Sequence, residues 1–552
     1  MYNTGDNMIL PRTKQYAEKD GFFKTPIIYD GKCKISLSAV KIIQCFSPDL
    51  NCEKGCKPNL FFCKKTFTVK GAYKLTVSES AITIDYNDCE GIRNAIASLV
   101  QLRQFGCIKC VEIFDEPDNE FRSCMLDLAR GYVEIPVLKE HIVRMAALKF
   151  NYVHLHLMDR QSYALDSDVV PNPDNHRLYS KSEISELTAF CKLLCLEVIP
   201  EIEIPAHAVN QIKALPELGC DIADMKKAYE TIKNLDNPRK REFTDNKTSV
   251  SAWVVCAGKE TTYTIYEKII KELLELFDGP YIHIGGDEIE FAHLGAHPHW
   301  DNCRACAKIM QENNLPDRKA LYYYLIRRVY NIVKSCGKKM IMWNDVLDAF
   351  NPIDIPKDIV IEFWNGGGKS VYQKLLDQGL ETINANYPYT YVDFPQYMQD
   401  EKIKLWNTHT EFLDEKELVG NIIGGEMCAW ELGNPLYSFY PCTLPVCMAL
   451  FADRVWNDAP IAYDEEYKQS IFSVVIGNYD NHINPFVFFK EIIPPRNKDK
   501  NMVEEIDIDS ICLDELTSVL CYMHETNPKN IYGNLALRAY IECLESIKSI
   551  LS

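Results

Sequence analysis

From about residue 118 the chain settles into one pattern. Strand-length apolar runs alternate with stretches whose apolar positions recur every three to four residues, the period of a helix with one buried face. Eight runs read as strands: 124–129, 152–158, 196–204, 281–284, 339–343, 359–364, 381–385 and 422–429. Between most of them fit helices at 137–148, 182–194, 266–276, 318–335 and 371–378. Eight β-α units over about 310 residues predict a (β/α)8 TIM barrel with insertions, whose active site belongs at the C-terminal ends of the strands. Residues 1–117 read differently, as a small α/β domain: a strand pair at 74–77 and 81–86, then a helix over 91–105 with one apolar face. The segment 214–263, with its polar run 234–247, is predicted to be an insertion near the barrel mouth. The domains are therefore expected at 1–117, 118–485 (the catalytic barrel) and 486–552. The last is a helical extension with amphipathic stretches at 510–524 and 535–551, packed on the barrel or on a second copy in a homodimer.

Composition narrows the function classes. The 552 residues carry a net charge of −18, which argues against nucleic acid or an anionic membrane surface as the main partner. No apolar run approaches the roughly 20 residues of a membrane span. The first residues, Met1 to Asp6, show no basic region followed by an apolar stretch. With 22 cysteines, many inside apolar runs, the expectation is free thiols in a reducing, cytoplasmic compartment. Cys52-x3-Cys56 with Cys63, and Cys107-x2-Cys110, lack a matching histidine spacing and read as free thiols too. His297, His299, Cys303 and Cys306 fall within ten residues and have the donor types of a zinc site. The stretch is short for four tetrahedral ligands, and neither a metal nor a cofactor is expected.

The strand ends carry the chemistry. Run four closes on His283-Ile284-Gly285-Gly286-Asp287-Glu288. The glycines permit a sharp bend, and two carboxylates on one cleft divide the labour of acid and charged group that glycosidases use. The other ends hold Asp127 with Arg130, Asp159, Glu201 to His207, Trp343-Asn344-Asp345, Glu362-Phe363-Trp364-Asn365, Tyr389 to Asp393, and Trp430-Glu431. Aromatic faces with carboxylates and an arginine describe a sugar pocket. For each residue taken singly the plain alternative is structural: a core tryptophan, a satisfied histidine, a surface ion pair.

Taken together, His283-x-Gly-Gly-Asp287-Glu288, Leu126-Asp127-x-x-Arg130, His154-x-His156-x-x-Asp159, Pro205-x-His207 and Tyr391-x-Asp393 resemble glycoside hydrolase family 20, the β-N-acetylhexosaminidases. The resemblance spans about residues 75 to 480. It implies an exo-acting retaining hydrolase of terminal β-linked N-acetylglucosamine or N-acetylgalactosamine, on an oligosaccharide or glycoconjugate. In that chemistry the substrate's own acetamido oxygen is the nucleophile, through an oxazolinium intermediate. The resemblance makes Glu288 the general acid and base, Asp287 the acceptor of the acetamide N–H, and Tyr391 a donor to the acetamido oxygen. Trp343, Trp364 and Trp430 would wall the acetamido pocket; Arg130, Asp393 and Glu431 would hold sugar hydroxyls. Asp159, His207 and His283 would orient the acid. Three departures stand out: Trp430 and Glu431 are adjacent where the family has Trp-x-Glu, Arg160 follows Asp159 where an acid is frequent, and Ala206 stands where glycine is frequent. The alternatives are a disaccharide-releasing relative of lacto-N-biosidase type, a retaining glycosidase with an enzyme nucleophile, and a carbohydrate-binding protein that has lost catalysis.

Overall fold

The structure is a computed structural model. It describes residues 9–104, 106–221, 254–289, 298–345, 347, 354–364, 371–392, 403, 405–411, 414–430, 432 and 440–459. Residues 15–115 carry their own sheet of β1 (Gln15–Lys24), β2 (Leu60–Lys64), β3 (Tyr73–Val77), β4 (Ile82–Tyr86) and β5 (Cys107–Asp115), in the spatial order β1-β5-β3-β4-β2. In β3 and β4 buried positions alternate with half-buried ones, so one face is sealed. The helices α1 (Lys34–Phe46) and α2 (Cys89–Gln101) share the hydrophobic core with this sheet. Asp88 caps α2 by accepting the Gly91 N–H at 2.8 Å. A Cβ at Gly91 would lie 2.5 Å from the Ala72 carbonyl oxygen, so only glycine lets the helix start this close to the sheet. The helix stops short of the expected residue 105 because Arg103–Gln104 turn back and pair with β5.

All eight barrel runs are strands: β6 (Phe121–Asp127), β7 (Tyr152–His156), β8 (Glu197–Glu201), β9 (Tyr281–His283), β10 (Lys339–Trp343), β11 (Val360–Phe363), β12 (Glu381–Asn384) and β13 (Ile422–Ala429). Each pairs in parallel with the next, and β13 pairs with both β12 and β6, which closes the barrel. The helices α3 (Ile135–Ala147), α4 (Lys181–Leu193), α5 (Glu260–Leu276), α6 (Arg318–Ser335) and α7 (Val371–Asp377) fall between strands, and α8 (Tyr440–Trp456) follows β13. A capping box of Ser180 and Glu183 starts α4, and Asp317 caps α6. The first strand begins at Phe121, three residues before the apolar run suggested. Arg122 interrupts the run, yet it is buried: it bridges Glu90, donates to the Lys149 carbonyl at 3.0 Å and stacks on Trp456. Helix α5 begins at Glu260 rather than 266, because Thr262, Tyr263 and Ile265 are also buried.

The barrel interior is layered. Phe121, Tyr152, Ile199, Ile341, Val360 and Ile383 fill the end where the strands begin. The next layer is polar and charged, with His154, Glu201, His283, Glu362 and Glu426. Above it, toward the strand C-termini, sit Met125, Trp343, Ala385, Tyr391, Cys428 and Trp430. No helix among the described residues is long and apolar enough to cross a membrane.

The sheet and the barrel are joined by a fully buried ion pair, Lys149 Nζ to Asp115 Oδ2 at 2.7 Å. Asp115 also accepts from Tyr73 Oη and Trp456 Nε1, both at 3.0 Å. Removing the carboxylate strands a buried ammonium. Asp115→Ala is therefore expected to destabilise the protein by about 3–5 kcal/mol, and adding Lys149→Met to recover much of that loss. Urea unfolding of the two variants checks this; an unchanged midpoint in Asp115→Ala would contradict the buried pair.

Candidate active site

The site is built where β9 ends. Ile284 still pairs on both sides, donating to Ile341 O and accepting from Ile204 N at 3.1 Å each. The chain then bends through Gly285 (φ 67°) and Gly286 (φ 97°). A Cβ at Gly285 would meet Glu203 Oε2 at 2.0 Å, so side chains are excluded there on two counts. Tyr322 Oη donates to the Gly286 carbonyl at 2.8 Å and fixes the bend. The bend delivers Asp287 and Glu288 to the mouth of the barrel, with 13% and 32% of their side chains exposed. The Glu288 N–H donates to Asp345 Oδ1 at 3.2 Å.

His207 connects the pair to the floor of the site. Its Nε2 lies 3.1 Å from Glu288 Oε2 and 3.5 Å from Asp287 Oδ2, and its Nδ1 lies 3.2 Å from Asp159 Oδ1. Burial alone would lower its pKa, but Asp159 and Asp287 outweigh burial and raise it well above the usual value. The imidazolium form is thus favoured between two acids. His207 (φ 53°) and Glu288 (φ 50°) both hold left-handed backbone, which costs each about 1–3 kcal/mol and marks a geometry enforced by its surroundings.

Asp159 anchors a second arm. It is fully buried, and takes Arg130 Nη2 at 2.7 Å and His156 Nε2 at 3.1 Å. Burial would raise its pKa, but Arg130 and His207 hold it well below the usual carboxylate range. Arg130 Nη1 also reaches Asp127 Oδ2 at 2.9 Å, and the guanidinium lies 4.7 Å over the Trp430 ring. This plane, held by two carboxylates and a stacked ring, cannot swing.

Aromatic rings wall the rest. Trp364 stacks on Tyr391 with centroids 6.1 Å apart and an interplanar angle of 15°. Trp430 lies 5.8 Å from Tyr391 and 6.2 Å from Trp343. Trp343 is buried and donates its Nε1–H to Glu201 Oε1 at 2.8 Å; Trp364 Nε1 donates to Asp345. Burial foremost raises the Tyr391 pKa well above the usual value, so its hydroxyl stays a donor. Among the described residues, Asp287 Oδ1 is buried with no hydrogen-bond partner. A buried, unpaired carboxylate oxygen is costly unless a ligand satisfies it.

The polar layer beneath holds these walls in place. His154 bridges Glu426 (2.7 Å) and Glu201 (3.3 Å), and His156 bridges Glu201 and Asp159. Burial lowers both imidazoles, but the carboxylates prevail and push His154 up to about 9 and His156 up to about 10. Glu201, Asp159 and Glu426 are lowered, while burial foremost raises Glu203 and Glu362 well above the carboxylate range. The raised imidazoles of His154, His156 and His207 thus lie against the lowered carboxylates of Glu201, Asp159 and Glu426. His283 is different: burial lowers its pKa, and its Nδ1 accepts the Gly285 N–H at 3.0 Å.

Folded-state pKa values above the usual 6.5 give stability that is complete below pH 6.5 and is lost as pH rises toward about 9–10. The melting temperature is expected to fall across that window, and His154→Gln to show a shallower fall. Each imidazole accounts for on the order of 3–5 kcal/mol. Thermal melts of both proteins from pH 6 to 10 check this; parallel profiles would contradict it.

Of the residues expected from sequence, Arg130, Asp159, His207, Asp287, Glu288, Trp343, Trp364, Tyr391 and Trp430 converge on this mouth, with His283 in the layer below. Asp393 and Glu431 lie outside the described residues, as do the tail stretches 510–524 and 535–551 and the polar run 234–247. Two acids received no role from sequence. Asp345 holds Glu288 N and Trp364, and burial, then Asp287, pushes its pKa up to about 8. Glu203 lies against Gly285. The signal for both was present, since Asp345 follows Trp343 at one strand end and Glu203 falls within Glu201 to His207 at another, but neither was given a role. The cysteine pair Cys303 and Cys306 takes its described sulfur neighbours from elsewhere in the chain. Its sulfurs face Cys220 and Cys256 from distant segments, and His297 and the His299 side chain lie outside the described residues.

Residues 119–458 match the catalytic domain of Glycosyl hydrolase family 20. The chain is 29% identical over 290 residues to a beta-hexosaminidase of Porphyromonas gingivalis, covering 50% of this chain and 33% of that protein. It is 25% identical over 437 residues to one of Akkermansia muciniphila, covering 72% and 82%, and 25% identical over 414 residues to beta-hexosaminidase subunit beta of Homo sapiens, covering 71% and 68%. The chain thus spans about a third of the Porphyromonas relative's length and 53% of a Vibrio furnissii relative's. The fold is that of the beta-N-acetylhexosaminidase of Bacteroides fragilis, with a TM-score of 0.70, 23% identity and coverage of 84% of this chain and 94% of that one. It is also that of a Streptomyces plicatus beta-hexosaminidase mutant in complex with product GlcNAc, at 0.65, 19%, 86% and 95%. With more than half of its length matched to the catalytic domain, the chain belongs to glycosyl hydrolase family 20.

Proposed function

We propose that the protein is an exo-acting, retaining β-N-acetylhexosaminidase that removes terminal β-linked N-acetylglucosamine or N-acetylgalactosamine by substrate-assisted catalysis. The observation that carries this reading is Asp287. Its Oδ1 is buried without a partner among the described residues, beside a box of Trp343, Trp364, Tyr391 and Trp430. An acetamido group satisfies both features, its N–H the carboxylate and its methyl the rings. Glu288, more exposed and supported by His207, is placed to protonate the leaving oxygen and then to activate water. Asp287 orients the acetamide so that its carbonyl oxygen attacks the anomeric carbon, and offsets the charge growing on nitrogen. Tyr391 donates to that oxygen. Arg130, locked by Asp127 and Asp159, holds sugar hydroxyls. The Streptomyces relative's complex with GlcNAc supports the sugar class. We place the protein in a reducing compartment; the free thiols among its described cysteines support that.

The test is hydrolysis of two matched aryl β-glycosides, one bearing 2-acetamido and the other 2-hydroxyl, with the first-formed anomer read by NMR. Cleavage of the acetamido substrate alone, with the β-anomer released first, is expected. Equal cleavage of both would overturn the substrate-assisted reading.

A further inference from the structure

Four cysteine sulfurs from separate segments meet beside the catalytic mouth. Cys220 follows β8, Cys256 precedes α5, and Cys303 and Cys306 flank the start of the helix Arg304–Glu312. All four side chains are buried and carry free thiols. All four sulfurs lie within 4.8 Å of one another, with Cys256 Sγ at 3.6 Å from Cys303 and 3.7 Å from Cys306. A disulfide would need about 2.05 Å. Four thiolates around a tetrahedral ion, each at about 2.3 Å, stand about 3.8 Å apart along every edge. Single buried cysteines are ordinary core residues. Four converging on one point are not, and three further features match metal binding. Cys303 and Cys306 have the Cys-x2-Cys spacing. The Cys306 backbone N–H donates to the Cys303 sulfur, at a helix N-terminus whose partial charge favours thiolate. Gly258 allows the approach of the strands of chain involved, since a Cβ there would lie 2.3 Å from the Ala305 carbonyl carbon.

We propose that Cys220, Cys256, Cys303 and Cys306 form a structural zinc site. With four protein ligands it has no open position, so the ion holds structure and does no chemistry. Binding displaces the thiol protons into solvent and leaves four thiolates on the ion. The site ties both ends of the segment 222–253 to the chain that follows the catalytic pair. It also reaches the acid's support: the Val255 N–H donates to the Pro205 carbonyl at 2.8 Å, two residues before His207, and Trp300 Nε1 donates to the Val255 carbonyl at 2.9 Å.

The full chain, purified without added metal, is expected to carry close to one zinc by elemental analysis. An organomercurial thiol reagent should release it, as read by a chromogenic chelator. Cys256→Ser and Cys306→Ser are expected to lose nearly all of it. Should those variants fail to fold, the cobalt-loaded wild-type chain decides: a tetrahedral four-thiolate spectrum is expected. A metal-free wild type that takes up neither ion, zinc retained in both serine variants, iron in place of zinc, or a disulfide among the four cysteines in peptide maps would each overturn the proposal.

Discussion

Glu288→Gln is expected to lower kcat by about 10²- to 10⁴-fold on a substrate with a poor leaving group, and by far less on an activated aryl glycoside. The glutamine keeps the shape and the contact with His207 but cannot deliver a proton. An activated leaving group needs little protonation, so the loss should grow with its pKa. The dependence of rate on leaving-group pKa, measured for wild type and variant, checks the assignment. Folding should be unaffected, because Glu288 is among the more exposed groups of the site and glutamine keeps its contact with His207. Equal losses on good and poor leaving groups would remove Glu288 from the acid role.

Asp287→Ala is expected to cost about 10²- to 10³-fold in kcat/KM, or about 3–4 kcal/mol, on activated and unactivated substrates alike. Here the loss is one of orientation and charge compensation. It should follow the acetamide rather than the leaving group. Replacing the acetamido methyl by progressively fluorinated groups weakens the carbonyl nucleophile, and wild-type rates should fall along that series. Rates in Asp287→Ala should respond differently, since the partner of the amide N–H is gone. Stability should hold or rise, because the substitution removes a buried oxygen without a partner among the described residues. Wild-type-like turnover in this variant would refute the assignment.

The barrel was legible because parallel strands covered on both faces are apolar along most of their length, and eight such runs survive any error in their ends. The ends themselves were misread where buried polar groups interrupt the pattern. Arg122 hid the start of β6, and the polar residues of β1 and β5, in a sheet with one exposed face, hid those strands of the N-terminal unit. The site was legible for a different reason. A carboxylate, arginine or tryptophan at the end of an apolar strand has no core function to perform, so Asp287, Glu288, Arg130 and Trp364 declared themselves. Glu203 and Glu362 also stand at strand ends, but their full burial comes from the closed barrel and is not written in the local sequence, so neither drew a role. The four cysteines show the limit most clearly. Cys303 and Cys306 announce half a site through their spacing, but Cys220 and Cys256 are brought to them only by the tertiary fold, and the nearer histidines drew the eye instead.

The central claim is that the substrate's acetamido group is the nucleophile, held by Asp287. Binding of an N-acetylglucosamine-derived thiazoline, the stable analogue of the oxazolinium intermediate, tests it most directly. Calorimetry should give a wild-type affinity for the thiazoline at least about 10²-fold tighter than for N-acetylglucosamine itself, as expected of an analogue of a high-energy species, with most of that advantage lost in Asp287→Ala. A thiazoline that binds no better than the sugar, or equally well to the variant, would contradict the mechanism.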